Sequence, residues 1–120
     1  MNKEELEQRT KEFAMQIINY VSSLPKGTVP HVLGSQLLKS GTSIGANYRE
    51  ANRAESRKDF IHKIGIVEKE ASETQYWLDL MIGSRIGNNN DCSMLLKEIS
   101  ELLAIFTATG KSCRRNKEIK

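Results

Sequence analysis

Few residues of this sequence are spaced for chemistry at a metal ion. Asp59 and His62 lie three positions apart, as do the carboxylate and imidazole ligands that helical bundles present to a di-iron centre. Such a centre needs a second pair of this kind, and the chain has only 2 histidines. On a helical wheel His62 also lies about 160–200° from the apolar positions Phe60 and Ile64, so we expect it to face outward. We therefore predict neither a metal site nor a cofactor.

Two further motifs resemble catalytic elements, but each lacks an essential part. The run from Gly41 to Gly45, GTSIG, has the glycines of a phosphate-binding loop without the lysine and the preceding strand that such a loop needs. Several serines accompany the two histidines, but no Ser/His/Asp arrangement is recognisable. The sequence therefore predicts a protein that is not an enzyme and has no catalytic residues.

The cysteines and the apolar runs indicate a cellular compartment. Cys92 and Cys113 are 21 positions apart on one predicted helix, roughly 30 Å, so they cannot form a disulfide within the chain. The longest apolar run, Leu102–Phe106, is far shorter than the ~20 residues of a membrane helix. Residues 1–12 contain four glutamates and no apolar stretch typical of a secretory signal. We expect a soluble, cytoplasmic protein that makes no membrane contact.

Helical periodicity organises the whole chain. A length of 120 residues suits one domain, and we assign residues 1–120 to a single one. Apolar residues recur at helical spacing in four segments, and no segment alternates with period two. The breaks are Pro25–Gly27, the capping sequence that begins at Ser56, and Gly87–Asp91. The predicted helices span about residues 3–24, 28–54, 57–86 and 91–110, followed by a frayed basic tail, 111–120. Short loops between long helices predict an all-α, antiparallel up-down-up-down four-helix bundle.

The second predicted helix contains unexpected glycines. Glycine inside a helix costs about 1 kcal/mol relative to alanine, so its presence needs a reason. Gly34, Gly41 and Gly45 fall, together with Asn52, within a strip about 40° wide beside the apolar face. Such a strip permits close approach of another helix, which is either a neighbour in the same bundle or a helix of a second subunit.

A second apolar face lies on the third predicted helix. Ile66, Trp77 and Leu80 point away from the main apolar stripe, with Tyr76 at their margin. A tryptophan among apolar neighbours on a second face is typical of a protein interface. The alternative is that the inner helix of a bundle buries an unusually broad face.

Positive charge is concentrated on the second helix and on the tail, where the basic residues are Lys111, Arg114, Arg115, Lys117 and Lys120. The chain has a net charge of +3, and residues 25–54 carry four basic side chains and one acidic one. Lys39, Arg49 and Arg53 lie opposite the apolar face, and Arg57 follows shortly after them. On a monomer this pattern is typical of a solvated surface. A ring of identical subunits would repeat it around an axis and form a field that phosphates can sense.

Three blocks of sequence resemble those of a known family. They are QLLKSGTSIGANYREA (residues 36–51), SRKDFIHK (56–63) and KEASETQYWL (69–78). In order and spacing they resemble the bacterial four helix bundle protein family, which is encoded within intervening sequences of large-subunit ribosomal RNA genes. The resemblance runs from Phe13 to about Lys111. It implies an antiparallel four-helix bundle that assembles into a ring-shaped homopentamer, and it supplies no catalytic residue. The related accessory proteins of diversity-generating retroelements form similar pentamers that bind nucleic acid and a reverse transcriptase through a basic surface.

Two functional hypotheses follow. In the first, a homo-oligomer, implied to be a pentamer, binds RNA or DNA phosphates through Lys39, Arg49, Arg53 and Arg57 without reading sequence, because no RNA-recognition signature or aromatic stacking platform is visible. In the second, the protein is a scaffold that holds a protein partner and has no nucleic-acid role. The predicted subunit or partner interface comprises Gly34, Gly41, Gly45, Ile66, Trp77 and Leu80.

Overall fold

The chain folds into four long helices. The structure is a computed structural model that describes the backbone of residues 1–119 and the side chains of residues 1–115. The helices are α1 (Lys3–Ser22), α2 (Thr28–Ala51), α3 (Arg57–Gly83) and α4 (Asn89–Ile119). All regular secondary structure within residues 1–119 is helical, and the bundle measures 52 × 24 × 21 Å. The predicted all-α four-helix bundle is confirmed.

Each helix packs against its neighbour along the chain. α2 packs on α1, α3 on α2 and α4 on α3, while α1 and α4 close the bundle through a smaller contact. Both inner helices therefore bury a broad face. The stripe predicted on α3 comprises Phe60, Ile64, Val67, Ala71, Thr74, Leu78 and Met81. The last six of these residues are buried, and Phe60 is half-buried. The largest fully buried side chains include Phe13 of α1 and Phe106 of α4.

Side-chain caps begin three of the helices. Asn2, Ser56 and Asn88 each accept a hydrogen bond from the backbone N–H three residues later, at 2.8–3.0 Å. Each cap satisfies one of the N–H groups that the first turn of a helix leaves free. α2 begins differently, because Gly27 occupies the cap position with a φ of 140° and no side-chain bond. Thr28, the hydroxyl residue that follows Gly27, is the first residue of α2.

The end of α4 differs from the prediction. The sequence predicted a helix that ends at Gly110 and then frays, but α4 continues to Ile119. Gly110 is buried because the Glu68 carboxylate lies directly against it, in the space that a Cβ would take. Arg114, one turn further along, donates a hydrogen bond to the same carboxylate at 3.4 Å. The absence of a side chain at Gly110 thus permits a close contact between the Glu68 carboxylate of α3 and the backbone of α4. Of the predicted tail, Lys120 and the Lys117 side chain lie outside the described residues.

Candidate nucleic-acid interface

The four predicted phosphate-binding side chains are all exposed. Lys39 and Arg49 lie on α2, and Arg57 is the first residue of α3. Arg53 lies in the turn between them, because α2 ends at Ala51 and not at residue 54 as predicted. None of them lies within 4.0 Å of a carboxylate belonging to residues 1–115. Arg9 contrasts with them, since its guanidinium contacts Glu98 at 2.6 Å. The fold therefore engages Arg9 in an ion pair but leaves the predicted residues available to a ligand.

These four residues do not form one compact cluster. Arg49 and Arg53 lie one turn apart near the end of α2, and Arg57 begins α3 on the other side of a short turn. Lys39 lies ten residues before Arg49, about 15 Å along the helix axis. The structure brings together the three arginines at one end of the bundle and places Lys39 apart from them.

Acidic groups border both parts of this surface. Arg49 lines a surface depression of about 530 Å³ that Glu4 and Glu7 of α1 also line. Lys39 is near Glu70 of α3, whose pKa is raised by burial and by Glu73, although Lys69 and Lys39 act in the opposite direction. The positive potential along α2 is therefore weaker than its own sequence suggests.

A second basic surface was not predicted from the sequence. Lys58, His62 and Lys69 lie on one side of α3, and Lys111 and Arg115 lie on α4, all of them exposed. The spacing of the three α3 residues is visible in the sequence as i, i+4 and i+11. The sequence indicated positive charge at Lys111 and Arg115 but predicted a frayed tail there, so their place on a helix that packs against α3 was not foreseen.

The glycines of α2 pack within the chain. A Cβ on Gly41 would lie 3.0 Å from Ile17 of α1, and one on Gly45 would lie 3.2 Å from the Thr10 hydroxyl. Gly34 would similarly meet Leu24 at 3.0 Å. The close approach that these glycines permit is therefore one between α1 and α2 of the same chain. Their presence needs no subunit interface, and an interface prediction has to rest on other residues.

The apolar face predicted on α3 is half-buried. Ile66, Trp77 and Leu80 are each only partly covered, and Trp77 packs against the core. The Trp77 indole N–H is fully covered and has no hydrogen-bond partner among the described residues. At the facing end of α2, Val29 and Val32 are 56% and 51% exposed. An apolar surface thus remains where α2 begins and α3 ends.

The perturbed titratable groups of the core have structural roles. Burial raises the pKa of Tyr20, whose hydroxyl donates to the Ile86 carbonyl at 3.0 Å. Burial likewise raises the pKa of the Cys92 thiol, which donates to the Leu78 carbonyl at 3.3 Å. Among residues with described side chains, no group of three or more His, Cys, Asp or Glu residues is placed to hold a metal ion.

Within the described residues, no helix is both long enough and apolar enough to cross a bilayer.

Comparisons with known proteins agree with this architecture. A crystal structure at 1.70 Å of a protein of unknown function from the S23 ribosomal protein family, from Bacteroides thetaiotaomicron, is 38% identical to the chain. The two superpose with a TM-score of 0.81 over 88% of this chain and 98% of that one. No curated protein matches the sequence. The sequence pattern of the 23S rRNA-intervening sequence proteins matches residues 2–108. The chain therefore belongs to the 23S rRNA-intervening sequence protein family.

Proposed function

We propose that this protein is a non-enzymatic, homo-oligomeric helical module that binds RNA or DNA through basic side chains repeated on every subunit. The observation that most directly supports this proposal is that Arg49, Arg53 and Arg57 are exposed close to one turn. None of them forms an ion pair with a carboxylate of residues 1–115. Side chains of this kind contribute phosphate contacts that are independent of base sequence.

Assembly of several subunits would strengthen the binding of a polyanion. A net charge of +3 on one chain gives only a weak field. A pentameric ring, which the sequence resemblance implies, would present five copies of the same surface to a single polyanion. Several weak contacts made together raise the overall affinity well above that of one. Ring assembly and phosphate binding are thus two parts of one proposal, which also places the protein in the cytoplasm.

Fluorescence anisotropy with a labelled structured RNA at 50 and 200 mM salt tests the phosphate-binding proposal. We expect binding at the lower salt concentration and a marked loss at the higher one, because counterions compete for the phosphates. The double variant Arg49→Ala, Arg53→Ala is expected to bind more weakly. The matched control is Lys26→Ala with Lys97→Ala, which removes two exposed charges elsewhere. No binding at low salt, or equal affinities for the two double variants, would reject the proposal.

A second candidate is a protein scaffold without a nucleic-acid role. The observation in its favour is the apolar surface of Val29, Val32, Trp77 and Leu80, where a tryptophan N–H is covered but unsatisfied. A purification from native cells distinguishes the two functions. A partner protein that stays bound after nuclease treatment, and that Leu80→Asp releases, would favour the scaffold.

A further inference from the structure

A basic surface separate from α2 follows the outer side of the α3–α4 pair. It comprises Lys58, His62 and Lys69 of α3 with Lys111 and Arg115 of α4, and we call it the α3–α4 face. The spacing of the α3 residues places them on one side of that helix. All five side chains are exposed, and none is paired with a carboxylate among residues 1–115.

Contacts between the two helices define the register of this face. Gln75 donates to the Ser100 hydroxyl at 3.0 Å, and Arg114 donates to Glu68 at 3.4 Å. α3 and α4 therefore run antiparallel, so that Lys111 lies across from the segment around Glu68. The Glu68 carboxylate accepts a hydrogen bond from Arg114 and lies against Gly110, and it forms no ion pair with the cations of the α3–α4 face.

Gly65 lies between His62 and Lys69 on the basic side of α3, and packing within the chain does not require a glycine there. A Cβ at Gly65 would meet no atom within 4 Å, whereas those of Gly41 and Gly45 would press against α1. Glycine lowers helix stability at such a position, so internal packing does not account for it. A ligand that approaches the helix backbone closely between His62 and Lys69 would account for it.

An aromatic ring lies further along the same side of α3. Tyr76 lies seven residues after Lys69, about 10 Å along the helix, and is 58% exposed. Its ring meets Trp77 edge-on, with centroids 5.3 Å apart, and this contact supports the ring from one side. On the α4 side, a shallow depression of about 440 Å³ extends between Ser100 and Lys111. The surface thus combines cationic side chains and an exposed ring on α3 with a shallow depression on α4.

We propose that the α3–α4 face binds a single-stranded segment of nucleic acid. Lys69 and Lys111 contact its phosphates, the backbone passes over Gly65, and an unstacked base packs on Tyr76. Cations that follow the backbone, together with aromatic rings that stack on bases, are the features that recognise single strands without sequence preference. This inference rests on the proposed function, to which it adds a second contact surface and a substrate class.

Anisotropy titrations with a labelled 20-nucleotide single-stranded RNA and with the matching duplex test the assignment. We expect wild-type protein to bind the single strand more tightly. Tyr76→Ala is expected to weaken that binding about fivefold or more, whereas Tyr76→Phe, which keeps the ring, retains it. Lys69→Ala with Lys111→Ala is expected to reduce the slope of log affinity against log salt by about 1.4, the value for two phosphate contacts of a single strand.

A glycine variant separates binding from folding. Gly65→Leu projects into open space, so we expect an unchanged helical circular dichroism spectrum and an undiminished melting temperature, but weaker RNA binding. Lys3→Ala with Lys26→Ala is the matched control for charge here, because both side chains are exposed and neither lies on α3 or α4.

The outcomes distinguish this inference from the proposed function. If the wild type binds neither RNA, both fail. If the wild type binds, but only Arg49→Ala with Arg53→Ala weakens binding, the assignment to the α3–α4 face fails and the proposed function stands. Equal affinity for duplex and single strand, with no effect of Tyr76→Ala, would also overturn the assignment.

Discussion

The role of each glycine in this chain depends on the residues that surround it in the fold. Gly41 is buried against Ile17, while a Cβ at Gly65 would meet only open space. Both lie well inside helices, so local sequence does not distinguish them. Only the packing of α1 on α2 shows which glycine the fold requires.

Alanine substitution at these two glycines is therefore expected to give opposite results. Gly65→Ala should raise the free energy of unfolding by about 1 kcal/mol, the difference in helix propensity. Gly41→Ala should lower it by about 1–3 kcal/mol, because a Cβ 3.0 Å from Ile17 forces a buried side chain to move. Urea denaturation followed by circular dichroism measures both. The same sign for the two variants would contradict the packing described for α1 and α2.

A partly buried carboxyl group provides a test by pH. Burial raises the pKa of Glu70 in the folded protein, so the folded state binds this proton more tightly than the unfolded state does. Ionised Glu70 therefore lowers the free energy of unfolding at neutral pH, and this penalty is removed as pH falls through the folded and then the unfolded pKa. Glu70→Gln should be more stable than the wild type at pH 7 and no more stable below about pH 4. Urea titrations at several pH values measure this difference, and an advantage that persists at low pH would contradict the assignment.

At the scale of the helices, the contact between α1 and α4 depends most on polar groups. These helices share the smallest interface of the bundle. Arg9 bridges it with bonds of 2.8 and 2.6 Å to the two carboxylate oxygens of Glu98, and it also contacts Glu101 at 3.1 Å. The Tyr20 hydroxyl holds the α3–α4 turn to α1 in the same way.

Removal of the Arg9 bridge is expected to loosen α1 from α4. Arg9→Met keeps most of the apolar stem but loses the two-pronged ion pair, so the free energy of unfolding should fall by about 1 kcal/mol. Arg53→Met, at an exposed and unpaired position, is the control and should change it by no more than about 0.5 kcal/mol. Hydrogen exchange should also become faster in α1. An equal effect of both variants would show that the bridge does not hold the helices together.

The helices could be predicted more completely than their ends and contacts. The stripe from Phe60 to Met81 predicts α3 because one helical period accounts for every buried position. The predicted end of α4 at Gly110 was wrong. The sequence placed it there because a glycine followed by basic residues is typical of a helix terminus. The carboxylate that packs against Gly110 belongs to Glu68 on another helix, 42 positions earlier in the sequence. Contacts of that kind depend on the register between helices, which local sequence does not specify.

The exposure of the candidate site residues could also be predicted from the sequence, whereas their contacts with other helices could not. Exposure of Lys39, Arg49, Arg53 and Arg57 follows from their position opposite the apolar face of α2 or at a turn, and the structure agrees. The nearness of Lys39 to Glu70, and the pairing of α3 with the last turns of α4, required the packed bundle.

At the scale of the whole molecule, we propose that the protein acts as an assembly of several identical subunits. A single chain carries a net charge of only +3, and Val29 and Val32 at the start of α2 are exposed. The proposed repetition of the subunit would account for both features, because it would multiply the basic surface and offer a partner for the apolar one.

Light scattering of the purified protein during size-exclusion chromatography at physiological salt tests this claim most directly. The account predicts a species of about five times the 13.6 kDa mass of one chain. A particle of 13.6 kDa that persists at micromolar concentrations would contradict it.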